Sequence, residues 1–228
     1  MHRHLATIAS TAALALLFAG TASAAPITLR INATVTLYAN DLGLLPFTGA
    51  TGDSFYVDYT FDSATPDSNP TAEIGTYDNA VLGFTAVLNG VSLTPGVSTV
   101  GNFIQVLNDY GSFDDTSDAY NVASGNIVAG QNTYSLYVLM QNPFNIAPVA
   151  PLTSAALPLA PWDVTAFPDR SLDVAVFTTV NGQLRSNQLS GAITSITTPT
   201  AVPLPGAVWL LATGFGALSL RLRRRRSR

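Results

Sequence analysis

The 228-residue chain contains no cysteine and no lysine, and its two histidines, His2 and His4, lie at the amino terminus. The absence of cysteine excludes disulfide bonds and thiolate nucleophiles. The absence of lysine excludes Schiff-base catalysis. Because both histidines belong to a segment that we expect to be removed, the mature chain also lacks the imidazole of serine hydrolases and of most zinc sites. These absences predict a protein that is not an enzyme.

Charged residues are scarce as well, at 11% of the chain, against about 25% in an average globular protein. Residues 25–201 contain three basic residues, Arg30, Arg170 and Arg185, against all fourteen acidic residues, which gives a net charge of −11. Such a surface repels nucleic acid and anionic lipid. We therefore exclude nucleic acid as a partner and regard divalent cations as more compatible.

The amino terminus has the three parts of a secretory signal peptide. His2, Arg3 and His4 are followed by an apolar run over residues 5–20 and by Ala22-Ser23-Ala24. Small residues in this A-x-A pattern favour cleavage between Ala24 and Ala25. A retained amino-terminal membrane helix is the alternative, which the short apolar run disfavours. We predict a signal peptide over residues 1–24, with the export machinery and signal peptidase as partners.

The carboxyl terminus combines an apolar segment with a basic tail. Residues 201–220 carry no charge, and 20 helical residues span about 30 Å, the thickness of a bilayer core. The tail contains six arginines: Arg221, Arg223, Arg224, Arg225, Arg226 and Arg228. By the positive-inside rule this cluster remains cytoplasmic and stops transfer. We predict a single inner-membrane helix over residues 206–220. The alternative, a buried helix with a nucleic-acid-binding tail, conflicts with export.

Between the two ends, hydrophobic side chains alternate with polar ones. The period of two is strict over residues 27–38 and recurs over 55–62 and 134–140, as in half-buried antiparallel strands. Asn89-Gly90 and Asn181-Gly182 each separate two apolar runs, which is typical of two-residue hairpin turns. Further strands are expected over 81–88, 91–93, 100–107, 120–128, 172–180, 183–189 and 190–197.

About eight to ten strands without an amphipathic helix predict an all-β body. We expect an antiparallel two-sheet sandwich or jelly roll over residues 25–198, flanked by the signal helix and by a sorting segment over 199–228 that contains the transmembrane helix. Residues 62–79 read as a long loop. Residues 142–170 contain six prolines and predict a surface crossover over one end of the body, with an apolar patch at Leu157, Leu159 and Trp162.

One group of acidic residues is a candidate cation site. Asp109, Asp114, Asp115 and Asp118 fall within ten residues, and calcium prefers six to eight oxygen ligands in an irregular loop. The spacing lacks the pattern of an EF-hand, and a solvated acidic loop remains the alternative. Asp62, Asp67 and Asn69 form a weaker second candidate. No cofactor other than calcium is expected.

Two further activities remain open for the body. Exposed aromatic side chains can stack on sugar rings, and the candidates are Tyr38, Tyr56, Tyr110, Tyr137 and Trp162. More often such side chains form cross-strand pairs or part of the core. A pair of carboxylates could also hydrolyse a glycosidic bond if both faced one cleft.

The carboxyl-terminal residues resemble a known sorting signal. Val202, Pro203, Leu204, Pro205 and Gly206 precede the apolar run and the arginines, as in PEP-CTERM proteins of the VPLPA-CTERM variant. This chain has Leu204 where the name motif has glutamate between the prolines, and Gly206 where the variant usually has alanine. The resemblance covers about the last 27 residues. The body stretches 59–62 and 75–79 are similar to β-rich bodies that precede such tails.

This resemblance implies processing by an exosortase, a membrane-embedded thiol transpeptidase that cuts near the proline-rich motif. It also implies a Gram-negative host that makes exopolysaccharide. We therefore expect an exported, non-enzymatic protein with a transient inner-membrane anchor, which reaches the cell surface or the biofilm matrix and contacts exopolysaccharide there. The alternative is an extracellular carbohydrate- or calcium-binding module.

Overall fold

The computed structural model describes residues 26–96, 98, 101–111, 117–142 and 152–199. The predicted signal peptide with its cleavage residues, the sorting motif, the membrane anchor and the arginine tail lie outside these ranges. The chain divides into two compact units, Met1–Thr198 and Pro199–Arg228, and every described strand belongs to the first. The described residues contain no helix with the length and apolarity needed to cross a membrane.

The only regular secondary structure among the described residues is β-strand, which confirms the predicted all-β class. Every strand pairing is antiparallel. The strands are β1 (Ile27–Ala39), β2 (Ser54–Phe61), β3 (Ile74–Asp78), β4 (Val81–Leu88), β5 (Val91–Leu93), β6 (Phe103–Tyr110), β7 (Ser117–Ala123), β8 (Ile127–Ala129), β9 (Asn132–Asn142), β10 (Asp169–Val180) and β11 (Gln183–Thr197). They form one sheet in the order β3-β6-β7-β9-β10-β11-β1-β2-β4-β5, with β8 paired to β9.

The alternation seen in the sequence separates an inner from an outer face of this sheet. Leu29 and Ile31 of β1 stand opposite Tyr59 and Val57 of β2, and all four are fully buried. Complete burial of one such side chain stabilises the fold by about 1.5–3 kcal/mol. The inner faces of the strands therefore form one hydrophobic core.

Both predicted hairpin turns are confirmed. Asn89 and Gly90 have φ angles of 52° and 77° and connect β4 to β5, whereas Asn181 and Gly182 have φ angles of 51° and 75° and connect β10 to β11. Two successive positive φ angles define the turn whose twist matches that of the paired strands. Asparagine and glycine reach these angles at low cost.

The sequence missed β3, which lies inside the predicted loop over residues 62–79. This strand has five residues and contains Gly75, so it carries little alternation. Its outer edge is covered, because Thr76 accepts a hydrogen bond from the Ser68 amide and donates one to the Asp67 carboxylate. Such cover prevents pairing with another chain.

Two predicted boundaries were also wrong. The runs 183–189 and 190–197 form the single strand β11, whereas the run 120–128 divides into β7 and β8. Gly125, with a φ angle of 67°, interrupts the second run. Apart from the missed strand β3, these errors lie at strand boundaries, where turns interrupt or fail to interrupt an apolar run.

A sharp corner between β3 and β4 joins the two ends of the sheet order. β3 pairs with β6 at one end, and β4 pairs with β2 near the other. Asn79 has a positive φ of 59°, and its amide and that of Val81 both bond to Asn102. The hydrogen bonds of the described strands form one continuous path, where the sequence predicts two sheets.

The proline-rich segment is more deeply packed than the sequence indicates. Residues 152–168 contain no strand, as predicted, but several of their side chains join the core. Of the predicted surface patch, Leu157 is buried, Trp162 is half-buried and Leu159 remains 59% exposed. The buried side chains of the segment are Leu152, Ala155, Leu157, Val164 and Phe167. We call residues 152–168 the cover segment.

Candidate functional site

Asp118 of the predicted cation group is a buried carboxylate rather than part of a solvated loop. Its side chain is 1% exposed. One carboxylate oxygen accepts the Asp109 amide at 2.7 Å, and the other accepts the amide of Leu152 in the cover segment at 3.0 Å. Asp118 thus fastens the cover segment to the sheet.

Of the other members of that group, the structure describes only Asp109. Asp109 is exposed, whereas Asp114 and Asp115 lie outside the described residues. No set of three acidic, histidine or cysteine side chains within the described ranges is placed to hold a metal. The four-aspartate site therefore stays a prediction, of which the structure places Asp109 and Asp118.

A bulge in β6 places the side chain of Asn108 beside Asp118. Leu107 pairs with Ala119 and Tyr110 pairs with Ser117, so Asn108 and Asp109 together face Asp118. Asp109 has a φ of 51°, in the left-handed conformation that one class of bulge uses. The Oδ1 atom of Asn108 is buried and has no hydrogen-bond partner in the described part of the chain.

On the other side of Asp118 stands Asn142, which the sequence analysis did not consider. The two residues are directly paired between β7 and β9. Asn142 is 1% exposed, and neither its oxygen nor its nitrogen has a partner among the described residues. The alternation of β9 could have revealed it, since Leu136, Val138 and Met140 place Asn142 on the inner face. We call Asn108, Asp118 and Asn142 the polar row.

The second predicted group serves to build turns. Asp62 accepts the Ala64 amide, and Asn69 accepts the Thr71 amide, each at 2.9 Å. Asp67 accepts the amides of Asn69 and Thr76, also at 2.9 Å. Bonds of this kind are the usual means by which Asp and Asn stabilise local turns. Asp62, Asp67 and Asn69 are thereby explained without a ligand.

Three of the five candidate sugar-stacking aromatics are already engaged. The Tyr38 hydroxyl donates to the Phe47 carbonyl. The ring of Tyr56 is covered by the Arg30 guanidinium at 3.8 Å. Trp162 packs edge-on against Tyr120, with their ring centroids 4.8 Å apart.

The remaining two are exposed, Tyr110 by 47% and Tyr137 by 41%. Tyr137 lies on the outer face and lines a shallow groove of about 600 Å³ with Ala123 and Asn126. Its cross-strand neighbour on β10 is Asp173. The Asp173 carboxylate accepts hydrogen bonds from Ser171 and Gln188, each at 3.2 Å. An exposed ring beside a polar network is an arrangement that sugars can use.

Two of the three arginines of the body are committed to the fold. Arg30 forms a two-pronged ion pair with Asp58, at 2.7 and 2.8 Å. Arg170 donates to the carbonyls of Ile193 and Phe167, at 2.7 and 2.9 Å. Neither is available to neutralise Asp118 directly.

A pair of tyrosines occupies the centre of the core. The hydroxyls of Tyr59 on β2 and Tyr120 on β7 are 2.5 Å apart, although five steps of the sheet order separate the strands. Burial raises the pKa of Tyr120, and burial together with the nearby Tyr120 raises the pKa of Tyr59. Both hydroxyls therefore stay protonated at neutral pH and serve packing rather than proton transfer.

No protein-family model, curated protein or solved structure matches this chain.

Proposed function

We propose that this chain is an exported, non-enzymatic surface or matrix protein, sorted through its PEP-CTERM-like carboxyl terminus. The observation that carries the proposal is the order of the last 27 residues: the motif Val202–Gly206, the uncharged run and the six arginines. An apolar helix of minimal length followed by dense positive charge halts translocation and leaves the body outside. A predicted signal peptide at the other end agrees with this orientation.

The body fits such a role as a stable domain without disulfides. We propose that the sheet curls into two facing layers, as in a sandwich, because Tyr59 and Tyr120 are in contact although their strands are far apart in the sheet order. Its stability then comes from the buried core and from the corner at Asn79, where the amides of Asn79 and Val81 donate hydrogen bonds to Asn102. The predicted partners are the export machinery, signal peptidase, the inner membrane, an exosortase and exopolysaccharide.

The test is the intact mass of the protein recovered from its native cell. We expect a product that lacks residues 1–24 and also lacks the arginine tail. Replacing the six tail arginines with serine should cause retention in the wrong topology or loss of the second cleavage. Replacing Arg185 alone with serine is the control, since it changes charge within the body. An unprocessed cytosolic protein with both ends intact would overturn the proposal.

Exopolysaccharide binding at Tyr137 is a second candidate function, supported by the exposed ring beside the Asp173 network. Substitution Tyr137→Ala should weaken binding to host exopolysaccharide about tenfold, as expected for the loss of one stacking contact. The control is Tyr110→Ala, because Tyr110 is similarly exposed but lies at the end of β6. If the unsubstituted protein and the two variants bound exopolysaccharide with equal affinity in a glycan-binding assay, this candidate function would be wrong.

A further inference from the structure

The polar row lies on the inner face, where β6 and β9 end and β7 begins. Asp118 and Asn142 occupy directly opposed positions of antiparallel strands. Side chains at such positions project from the same face, with their Cβ atoms about 4.5–5.5 Å apart. The carboxylate of Asp118 and the amide of Asn142 are therefore close neighbours, although both are 1% exposed.

The charge of Asp118 is only partly compensated. Its two oxygens accept backbone amides from Asp109 and Leu152, which are neutral donors. No arginine in the described ranges bonds to it. Each carboxylate oxygen can accept more than one bond, and a buried anion without an opposite charge is strongly disfavoured. A cation bound beside Asp118 would therefore stabilise its buried carboxylate.

The two amides beside Asp118 add oxygen ligands. The Oδ1 atoms of Asn108 and Asn142 are buried and lack partners among the residues that the structure describes. For Asn142 the amide nitrogen lacks one too, so exchanging its oxygen and nitrogen would not remove the deficit. Buried amide groups are almost always hydrogen-bonded. Two such exceptions beside one buried carboxylate indicate a bound species.

We propose that Asn108, Asp118 and Asn142 bind a calcium ion between the sheet and the cover segment. Calcium accepts carboxylate and amide oxygens in irregular geometry and completes its shell with backbone carbonyls or water. This site shares Asp118 with the acidic group predicted from the sequence but draws its other ligands from neighbouring strands. The proposal is independent of the sorting function. A buried water molecule is the competing occupant, since it would also satisfy the Asn142 nitrogen.

The first experiment compares the full-length protein in detergent with excess chelator and with about 5 mM calcium. We expect one calcium per chain by elemental analysis after gel filtration, and a melting temperature about 5 °C higher with calcium. Absence of retained calcium together with equal melting temperatures would overturn the proposal and assign the row to water.

Matched variants locate the site. Asn142→Leu should abolish the calcium-dependent rise in melting temperature. Asn187→Leu should preserve it, because Asn187 is equally buried and also unbonded in the described structure, but faces Val176 instead of a carboxylate. Asn142→Asp should tighten calcium binding about tenfold by adding a charge. If Asn187→Leu removes the response and Asn142→Asp does not change it, calcium binds elsewhere and the assignment is wrong.

Discussion

Two sets of buried polar side chains in this core differ in how completely their hydrogen-bonding groups are satisfied. Tyr59 and Tyr120 satisfy each other through one hydroxyl–hydroxyl bond in apolar surroundings. The polar row has a carboxylate that accepts two backbone amides, and two side-chain amide oxygens that lack partners within the described ranges. A closed pair of this kind stabilises the fold without a ligand, whereas an open row retains the capacity to bind one. In a domain without histidine, cysteine or lysine, unpartnered buried oxygens beside a carboxylate are therefore a place where a ligand can bind.

The largest expected effect comes from removing the centre of the polar row. Asp118→Ala leaves the amides of Asp109 and Leu152 without their acceptor, and each lost acceptor costs about 1–3 kcal/mol. We expect the free energy of unfolding to fall by about 2–6 kcal/mol in urea titrations. Asp169→Ala is the control, because Asp169 is exposed at the start of β10. Similar losses in the two variants would show that Asp118 does not anchor the cover segment.

The second prediction concerns the contact between β3 and the cover segment. A Cβ atom at Gly75 would lie 2.0 Å from the Ala155 carbonyl oxygen, so Gly75→Ala must displace backbone and should cost about 3 kcal/mol. At Gly49 the clash, at 2.5 Å, is with the Leu88 side chain, which can rotate. Gly49→Ala should therefore destabilise less. Thermal unfolding of both variants measures the difference, and the reverse order would refute the close packing of Gly75 and Ala155.

The third prediction tests whether the tyrosine pair is closed. Tyr59→Phe or Tyr120→Phe leaves one buried hydroxyl alone and should cost about 1–3 kcal/mol. The double substitution removes both hydroxyls and should cost less than the sum of the single ones. A double-mutant cycle in urea gives the coupling. Additive effects would mean that the two hydroxyls do not bond in solution.

The same pair predicts the response to alkaline pH. Because burial raises the pKa of both tyrosines in the folded state, the unfolded chain ionises first. Stability should be complete below about pH 10 and fall above it by up to about 1.4 kcal/mol per pH unit for each buried tyrosine. Melting temperatures between neutral and strongly alkaline pH measure this loss. The double Phe variant should show a flatter decline, and an identical decline would contradict the assignment.

The smallest effect is expected on the outer face. Arg30→Lys loses the two-pronged bond to Asp58 and the contact with the Tyr56 ring, but these groups are partly solvated. The cost should be about 0.2–1 kcal/mol and should shrink in high salt. Urea unfolding at two salt concentrations measures it, with Arg185→Lys as the control. If Arg30→Lys lowered the free energy of unfolding as much as Asp118→Ala, the expected difference between the solvated outer face and the buried inner face would be wrong.

Many strands and turns of the body could be predicted from short stretches of the sequence. The alternation over residues 27–38 gave β1 within one residue of its bounds, and the two Asn-Gly turns were found because their φ requirements are local. β3 was missed because five residues around Gly75 carry almost no alternation. The candidate site was predicted only in part: Asp118 was named from the acidic loop, but Asn108 and Asn142 were not.

The sequence by itself determined the strand-forming body, its negative charge, the absence of common catalytic groups and the signals expected at both ends, because each depends on neighbouring residues or on composition. Only the tertiary structure decided that Tyr59 meets Tyr120 and that Asp118 lies between two amides. These contacts join residues far apart in the chain. They follow from strand register and from the corner at Asn79, which local patterns do not encode.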